Sequence, residues 1–441
     1  MTTFQARGEQ TFQHDATTTR AIVAVIIGNG FEWFDFISYS FFAIVIGRLF
    51  FPSNDANVSL LLSVSTIGVG FFMRPIGGIV LGTMADRHGR KRALATSIFL
   101  MTLGAALIAF APTYEQAGLA APAMIVAARL LQGFSAGGEM GGATAYLMGR
   151  VPRDRRGYYT SWIQASIGVA IILSAALGTV LVNALTPTQV NSWGWRVPFV
   201  VGLLLGPVGM YIRSNLVEAE IPSKAARESA PVLDLFKNHS QSIAIGFGLV
   251  IFWTVCSYVL LFYIPTYSVK VLKLGVSAGF IAVLVGALVV FLVTPVVGGL
   301  SDRFGRKPFL TLATVTAAVI AIPMFGFVNR FPGLTSLVVF QVVFGLVIAL
   351  YEGPILAALS ELFPESIMST GISVSYNLAV MTFGGFSATI ITWLIGATGY
   401  NVAPAFYVVG TALASLVAVL CCRPQQRAEG FNQGERTASK R

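Results

Sequence analysis

The sequence predicts an all-α membrane protein: twelve transmembrane helices in two pseudo-symmetric six-helix bundles. Three observations carry that expectation. Of the 441 residues, 55% are hydrophobic and only 11% charged, with a mean hydropathy of +0.75, whereas a soluble chain has about 25% charged residues. Apolar runs recur from Ala21 to Leu420, each near the roughly 20 residues that a helical span needs. A ten-residue Gly-x-x-x-Asp-Arg-x-Gly-Arg-Lys pattern also occurs twice, 216 residues apart. Lipid offers the backbone no hydrogen bonds, so a spanning chain is helical or a closed barrel. A barrel strand alternates every second residue; these runs are continuous, so helices are expected.

In chain order the spans read 21–47, 58–83, 93–111, 122–148, 159–184 and 196–213, then 242–269, 277–300, 309–328, 335–361, 369–395 and 403–421. The organisation expected is a cytoplasmic tail 1–20, a first bundle 21–213, a cytoplasmic loop 214–241, a second bundle 242–421 and a cytoplasmic tail 422–441. The net charge is +10 and the pI 9.7. Twenty-two of the 29 Lys and Arg lie in the tails, in the loops after spans 2, 4, 6 and 8, and at Arg213, the last residue of span 6. That bias places both termini in the cytoplasm and makes the positive charge a matter of topology, not a nucleic-acid footprint. Cys256, Cys421 and Cys422 form no disulfide framework. The three histidines lie outside the spans, which argues against metal or catalytic chemistry in the membrane. No cleavable signal peptide precedes Ala21, and no G-x-x-x-x-G-K-[ST] loop points to ATP.

The repeated decapeptide runs Gly82-Thr-Met-Ala-Asp86-Arg87-His-Gly89-Arg90-Lys91 after span 2, and Gly298-Gly-Leu-Ser-Asp302-Arg303-Phe-Gly305-Arg306-Lys307 after span 8. Its glycine allows close helix approach. Its aspartate suits a neighbouring helix N-terminus, and its cations hold the turn on the cytoplasmic side. Two copies at matching places point to a paired gate; one alone would read as an ordinary basic loop.

Charge at membrane depth is the second signal, because it costs roughly 2.5–3.5 kcal/mol on insertion scales and marks pathways or relays. Asn29, Glu32, Asp35 and Tyr39 share one face of span 1. Span 2 carries Arg74, span 4 carries Arg129 and Glu139, and span 10 carries Glu352 in a Tyr-Glu-Gly-Pro sequence expected to break the helix. Arg74 and Arg129 are the candidates for binding carboxylates, with Asn29, Tyr39, Glu352 and Asn377 as further contacts. Asp35 and Glu139, then Glu32, are the candidates for carrying a proton, since burial and a nearby cation move a carboxyl's pKa in opposite directions. The bland alternatives are helix-to-helix salt bridges for the arginines and plain packing for tyrosines such as Tyr258 and Tyr263. Arg196, after Trp193-Gly194-Trp195, is expected to snorkel at the outer edge.

These motifs resemble the major facilitator superfamily. Arg129-Leu-Leu-Gln-Gly133-Phe-Ser-Ala-Gly137-Gly138-Glu139 resembles its fourth-helix signature, together with Tyr146, Pro152 and Arg156-Gly157. Gly28-Asn29-x-x-Glu32-Trp33-Phe34-Asp35, Met73-Arg74-Pro75 and Trp193-Gly194-Trp195-Arg196 narrow the resemblance to the metabolite–proton symporters. That group has carriers of citrate or tricarballylate, α-ketoglutarate, shikimate and proline or betaine. Met148-Gly149 and Met368 depart from the family's usual Glu and Arg, while Glu361 keeps its place.

The resemblance implies proton-coupled symport of a small organic anion by alternating access around a central cavity, in the cytoplasmic membrane, among lipid, by a monomer and with no cofactor. Alternatives are a zwitterionic osmolyte or a shikimate-like acid. A short tail without heptads disfavours the osmolyte. From other classes, the alternatives are a transporter-like sensor and a membrane-embedded enzyme, the enzyme least favoured because no histidine sits in a span.

Overall fold

The computed structural model describes residues 16–88, 90–214, 237–365 and 367–422, and is helical with no strand among them. The side chains of 85–91 and of some other helical residues lie outside the description. All twelve expected spans are helical, and their irregularities have chemical causes.

Span 1 is Ala16–Phe41 continued by Ala43–Phe50, bent by 65°. Span 2 is Ala56–Phe72 and Arg74–His88, started by Asp55, whose side chain accepts from the Asn57 N–H at 2.7 Å. Pro75 follows the break, sitting in a first turn where its missing N–H costs nothing. Span 3 is Arg90–Ala109. Span 4 divides at Gly137-Gly138 into Ala120–Ala136 and Glu139–Met148, so Glu139 opens a helix. Span 5 is Arg156–Ala184 and span 6 is Val197–Ser214.

In the second half, span 7 runs Ser240–Ser257, widens through Tyr258–Phe262 and resumes at Ile264–Lys270. Pro265 forces the widening, because its ring clashes with the carbonyl four residues back. Spans 8, 9 and 10 are Val276–Phe304, Arg306–Arg330 and Leu334–Ser360. The break expected at Tyr351–Pro354 is absent: Pro354 sits inside a continuous helix. Neighbouring spans keep such a helix together, and span 8 packs close here. A Cβ on Gly353 would lie 2.8 Å from the Gly298 nitrogen. Span 11 is Met368–Ala379, a wide turn Val380–Gly384, and Ser387–Thr398; span 12 is Ala403–Cys421.

The halves meet chiefly through spans 5 and 8. A Cβ on Gly157 would lie 2.5 Å from the Gly298 carbonyl oxygen, and one on Gly298 would lie 2.6 Å from that of Gly157. Only a hydrogen there lets the helices touch. At the opposite end Phe41 packs on Phe280 with centroids 5.4 Å apart, and Ser65 meets Thr389 at 3.3 Å between hydroxyls. A space of about 10 Å³ lies among Tyr258, Phe262, Tyr263 and Gly385, near the least that holds one water.

Candidate substrate and coupling site

Span 1 is the wall on which the site is built. Trp33, Phe36 and Tyr39 recur at helical spacing and are buried beside Asp35. Arg74 begins the lower half of span 2 and is 2% exposed. Its guanidinium carbon lies 4.4 Å from the Phe71 ring centroid and 5.3 Å from those of Trp33 and Phe36. Arg129, on span 4, has no exposure at all. It lies 3.7 Å over the Tyr39 ring and 5.6 Å from Phe36, so Phe36 serves both arginines. Rings supply cation–π attraction but accept no hydrogen bonds in the guanidinium plane.

The consequence is an unmet demand. In both arginines Nε and Nη2 are buried with no hydrogen-bond partner, and among the described residues neither forms an ion pair. Arg129 Nη1 donates to Gln132 Oε1 at 2.9 Å, and Gln132 Nε2 donates to Asp35 Oδ2 at 3.5 Å. Gln132 therefore stands between the cation and the acid, leaving Asp35 Oδ1 also without a partner. Span 6 closes on that carboxylate at Gly202.

The other candidates are placed as follows. Tyr39 directs its hydroxyl to Thr66 Oγ1 at 2.6 Å and the Ser63 carbonyl at 3.3 Å, leaving its ring face to Arg129. Asn29 donates to the Ile163 carbonyl at 3.1 Å and Ser166 Oγ at 2.9 Å, tying span 1 to span 5. Glu32 and Glu139 are half-buried, and Glu139 has an interaction partner. Glu352 is 5% exposed and accepts from Ser257 Oγ at 2.9 Å. Asn377 donates across the halves to the Gly137 carbonyl at 2.6 Å, and its Oδ1 is buried without a partner. Arg196 donates to the Ser192 and Ala111 carbonyls at 2.7 and 2.9 Å and lies over Trp195, tying down loops at the edge.

Sequence reasoning passes over Gln132, Phe36 and Phe71 and favours plain packing for Tyr258. Tyr258 has a buried hydroxyl without a partner and packs its ring on Phe71 and Trp33. The regular spacing of Trp33, Phe36 and Tyr39 was a readable signal. The role of Gln132 was not, since its partner is 97 residues away.

At the basic end of the molecule the second decapeptide copy forms a latch. Asp302 accepts from the N–H groups of Gly157 and Tyr158 at 2.8 and 2.9 Å, at the start of span 5. Arg306 Nη1 pairs with Asp302 at 2.7 Å, and its Nε with Glu361 at 3.3 Å. Gly305 makes the turn at φ +88°, a conformation that favours glycine, and Arg303 is exposed. Arg153 and Arg156 meet Glu365 at 4.0 and 3.6 Å. Where the expected Glu is replaced by Met148-Gly149, Arg156 Nη2 donates instead to the Met148 carbonyl at 3.1 Å, and Met368 is buried. In the first copy Gly89, and the side chains of Gly82, Asp86, Arg87, Arg90 and Lys91, lie outside the described residues.

The sequence profile described as Major Facilitator Superfamily matches residues 25–379 and 284–440. The citrate-proton symporter of Klebsiella pneumoniae is 36% identical over 401 residues, covering 90% of each chain. The proline/betaine transporter of Escherichia coli K12 is 31% identical over 422 residues, covering 91% of this chain and 83% of its own. Among solved structures, the proton:xylose symporter XylE bound to 6-bromo-6-deoxy-D-glucose superposes with a TM-score of 0.73 at 17% identity, covering 92% and 95%. By profile, relatives and fold together, this chain belongs to the Major Facilitator Superfamily, a family of membrane transporters and not of enzymes.

Proposed function

We propose that the protein is a proton-coupled symporter of a di- or tricarboxylate such as citrate, tricarballylate or α-ketoglutarate, working by alternating access in the cytoplasmic membrane. The observation that carries this reading is the pair of buried guanidiniums, Arg74 and Arg129, each with Nε and Nη2 unbonded and no acid in ion-pair contact among the described residues. An uncompensated buried charge is strongly destabilising. A carboxylate answers a guanidinium with two parallel hydrogen bonds, and a substrate with two or three carboxylates answers both arginines at once. The relatives named as citrate-proton symporters support the same class.

Asp35 is the proton carrier in this reading. Arg129 connects to it through Gln132, so an anion drawing the guanidinium away removes a positive charge that opposes protonation. The halves then rock about the site, with the Asp302–Arg306 latch closing the cytoplasmic side. Both termini lie in the cytoplasm, and the working unit is one chain.

The test is uptake of labelled citrate, tricarballylate and α-ketoglutarate into proteoliposomes, with proline and betaine alongside, with and without an inward proton gradient. Saturable uptake of an acid, raised by the gradient, is expected. Gradient-independent uptake overturns the coupling. A second reading, a zwitterionic osmolyte, is favoured by the aromatic wall of Trp33, Phe36, Phe71 and Tyr258, which suits a quaternary ammonium, and by the proline/betaine relatives. Uptake of betaine without any acid selects it.

A further inference from the structure

A groove of about 470 Å³ runs along the seam of spans 5 and 8, outside the transport site. The first half contributes Tyr158 and Trp162; the second contributes Leu292, Val296, Leu300 and Arg303. Leu292, Val296 and Leu300 point outwards, 57%, 59% and 39% exposed. On a membrane-spanning pair of helices such a face looks into the hydrocarbon, so its occupant is membrane-soluble. From Leu292 to Arg303 the helix rises about 16 Å at roughly 1.5 Å per residue, close to half of the roughly 30 Å hydrocarbon core. The groove is one leaflet long.

Its basic end is chemically distinct from the rest. Arg303 is exposed and has no ion-pair partner among the described residues, unlike its neighbour Arg306. Tyr158 and Trp162 stack edge to face beside it, with centroids 6.2 Å apart, as amphipathic rings do at headgroup level. Asp302, adjacent in sequence to Arg303, is committed to Arg306 and the start of span 5.

We propose that this seam groove is a binding site for an anionic phospholipid: acyl chain along Leu292, Val296 and Leu300, headgroup phosphate on Arg303. Because its two walls belong to different halves, a bound lipid bridges the seam next to the Asp302 latch and its occupancy changes with rocking. The site does not depend on which solute is carried.

The test is native mass spectrometry of the purified full-length protein in detergent, titrated with phosphatidylglycerol or phosphatidylcholine. One tightly retained phosphatidylglycerol is expected, preferred about fivefold, the increment of one basic side chain near anionic lipid. Arg303→Gln removes the preference while a lipid still binds. Val296→Trp, which fills the groove and keeps the charge, reduces retention of both. Equal retention of the two lipids by the wild type, an undiminished preference in Arg303→Gln, full competition by soluble glycerol phosphate, or a dimer seated on this face each overturns the proposal.

Discussion

Two groups of arginines in this chain live under opposite conditions. At the basic end, Arg306 has Asp302 at 2.7 Å, Glu361 at 3.3 Å and the Ser301 hydroxyl at 2.8 Å. In the interior, Arg74 and Arg129 are more deeply buried, yet keep two nitrogens each unbonded and rest on aromatic faces. Desolvation is costliest where pairing is poorest, the reverse of what stability alone would select. The difference teaches that the paired arginine holds two parts of this chain together, whereas in the proposed reading the unpaired ones await a carboxylate that the chain itself does not supply.

The sharpest way to break that comparison is to remove an interior guanidinium. Arg129→Ala is expected to lower acid uptake, measured as Vmax/KM in proteoliposomes, by at least about 100-fold, since truncating a buried charged contact costs roughly 2–5 kcal/mol. Arg129→Lys should restore little, because an ammonium lacks the two-pronged geometry. Unchanged uptake in Arg129→Ala would make the interior arginines structural.

Next in size is Asp35→Asn. Net uptake should lose its stimulation by an inward proton gradient while exchange of internal for external acid persists. Stimulation equal to wild type removes Asp35 from the coupling.

The latch gives an intermediate effect. Asp302→Asn leaves Arg306 with Glu361 but removes the anion that holds the N–H groups of Gly157 and Tyr158. Charged hydrogen bonds contribute roughly 1.5–3 kcal/mol. Alkylation of a cysteine introduced at Ser161, buried against Gly298, should accelerate about tenfold as the seam opens more often. No acceleration means that the glycine contact alone holds it.

The smallest effect belongs to Glu365. It is 73% exposed and meets Arg153 and Arg156 at 4.0 and 3.6 Å, and surface pairs are worth at most about 1 kcal/mol. Glu365→Gln should change uptake less than about twofold; a large loss would place it in the gate.

Much of this was legible in the sequence, for a local reason. A span is written in some 20 consecutive residues, so all twelve were found. The Asp302 copy of the decapeptide behaves as its residue types require, with its aspartate at a helix start and its glycine at positive φ. The break expected at Tyr351–Pro354 failed because a proline's effect depends on what packs beside it. The sequence marks Arg129 and Asp35 by their depth, but a direct pairing and a Gln132 relay leave the same pattern along the chain.

What the sequence determined by itself was therefore the number of spans, the basic end, and the presence of arginines and acids where lipid forbids idle charge. Tertiary structure alone decided which charges meet. Asp302 finds Gly157 across 145 residues, and Asn377 reaches Gly137 across 240. Such pairings depend on helix rotation and close approach, set by breaks at Met73 and Gly137-Gly138 and by the Gly157–Gly298 contact. Hydrogen bonds act over about 3 Å, and no local pattern along a chain fixes distances that fine between distant helices.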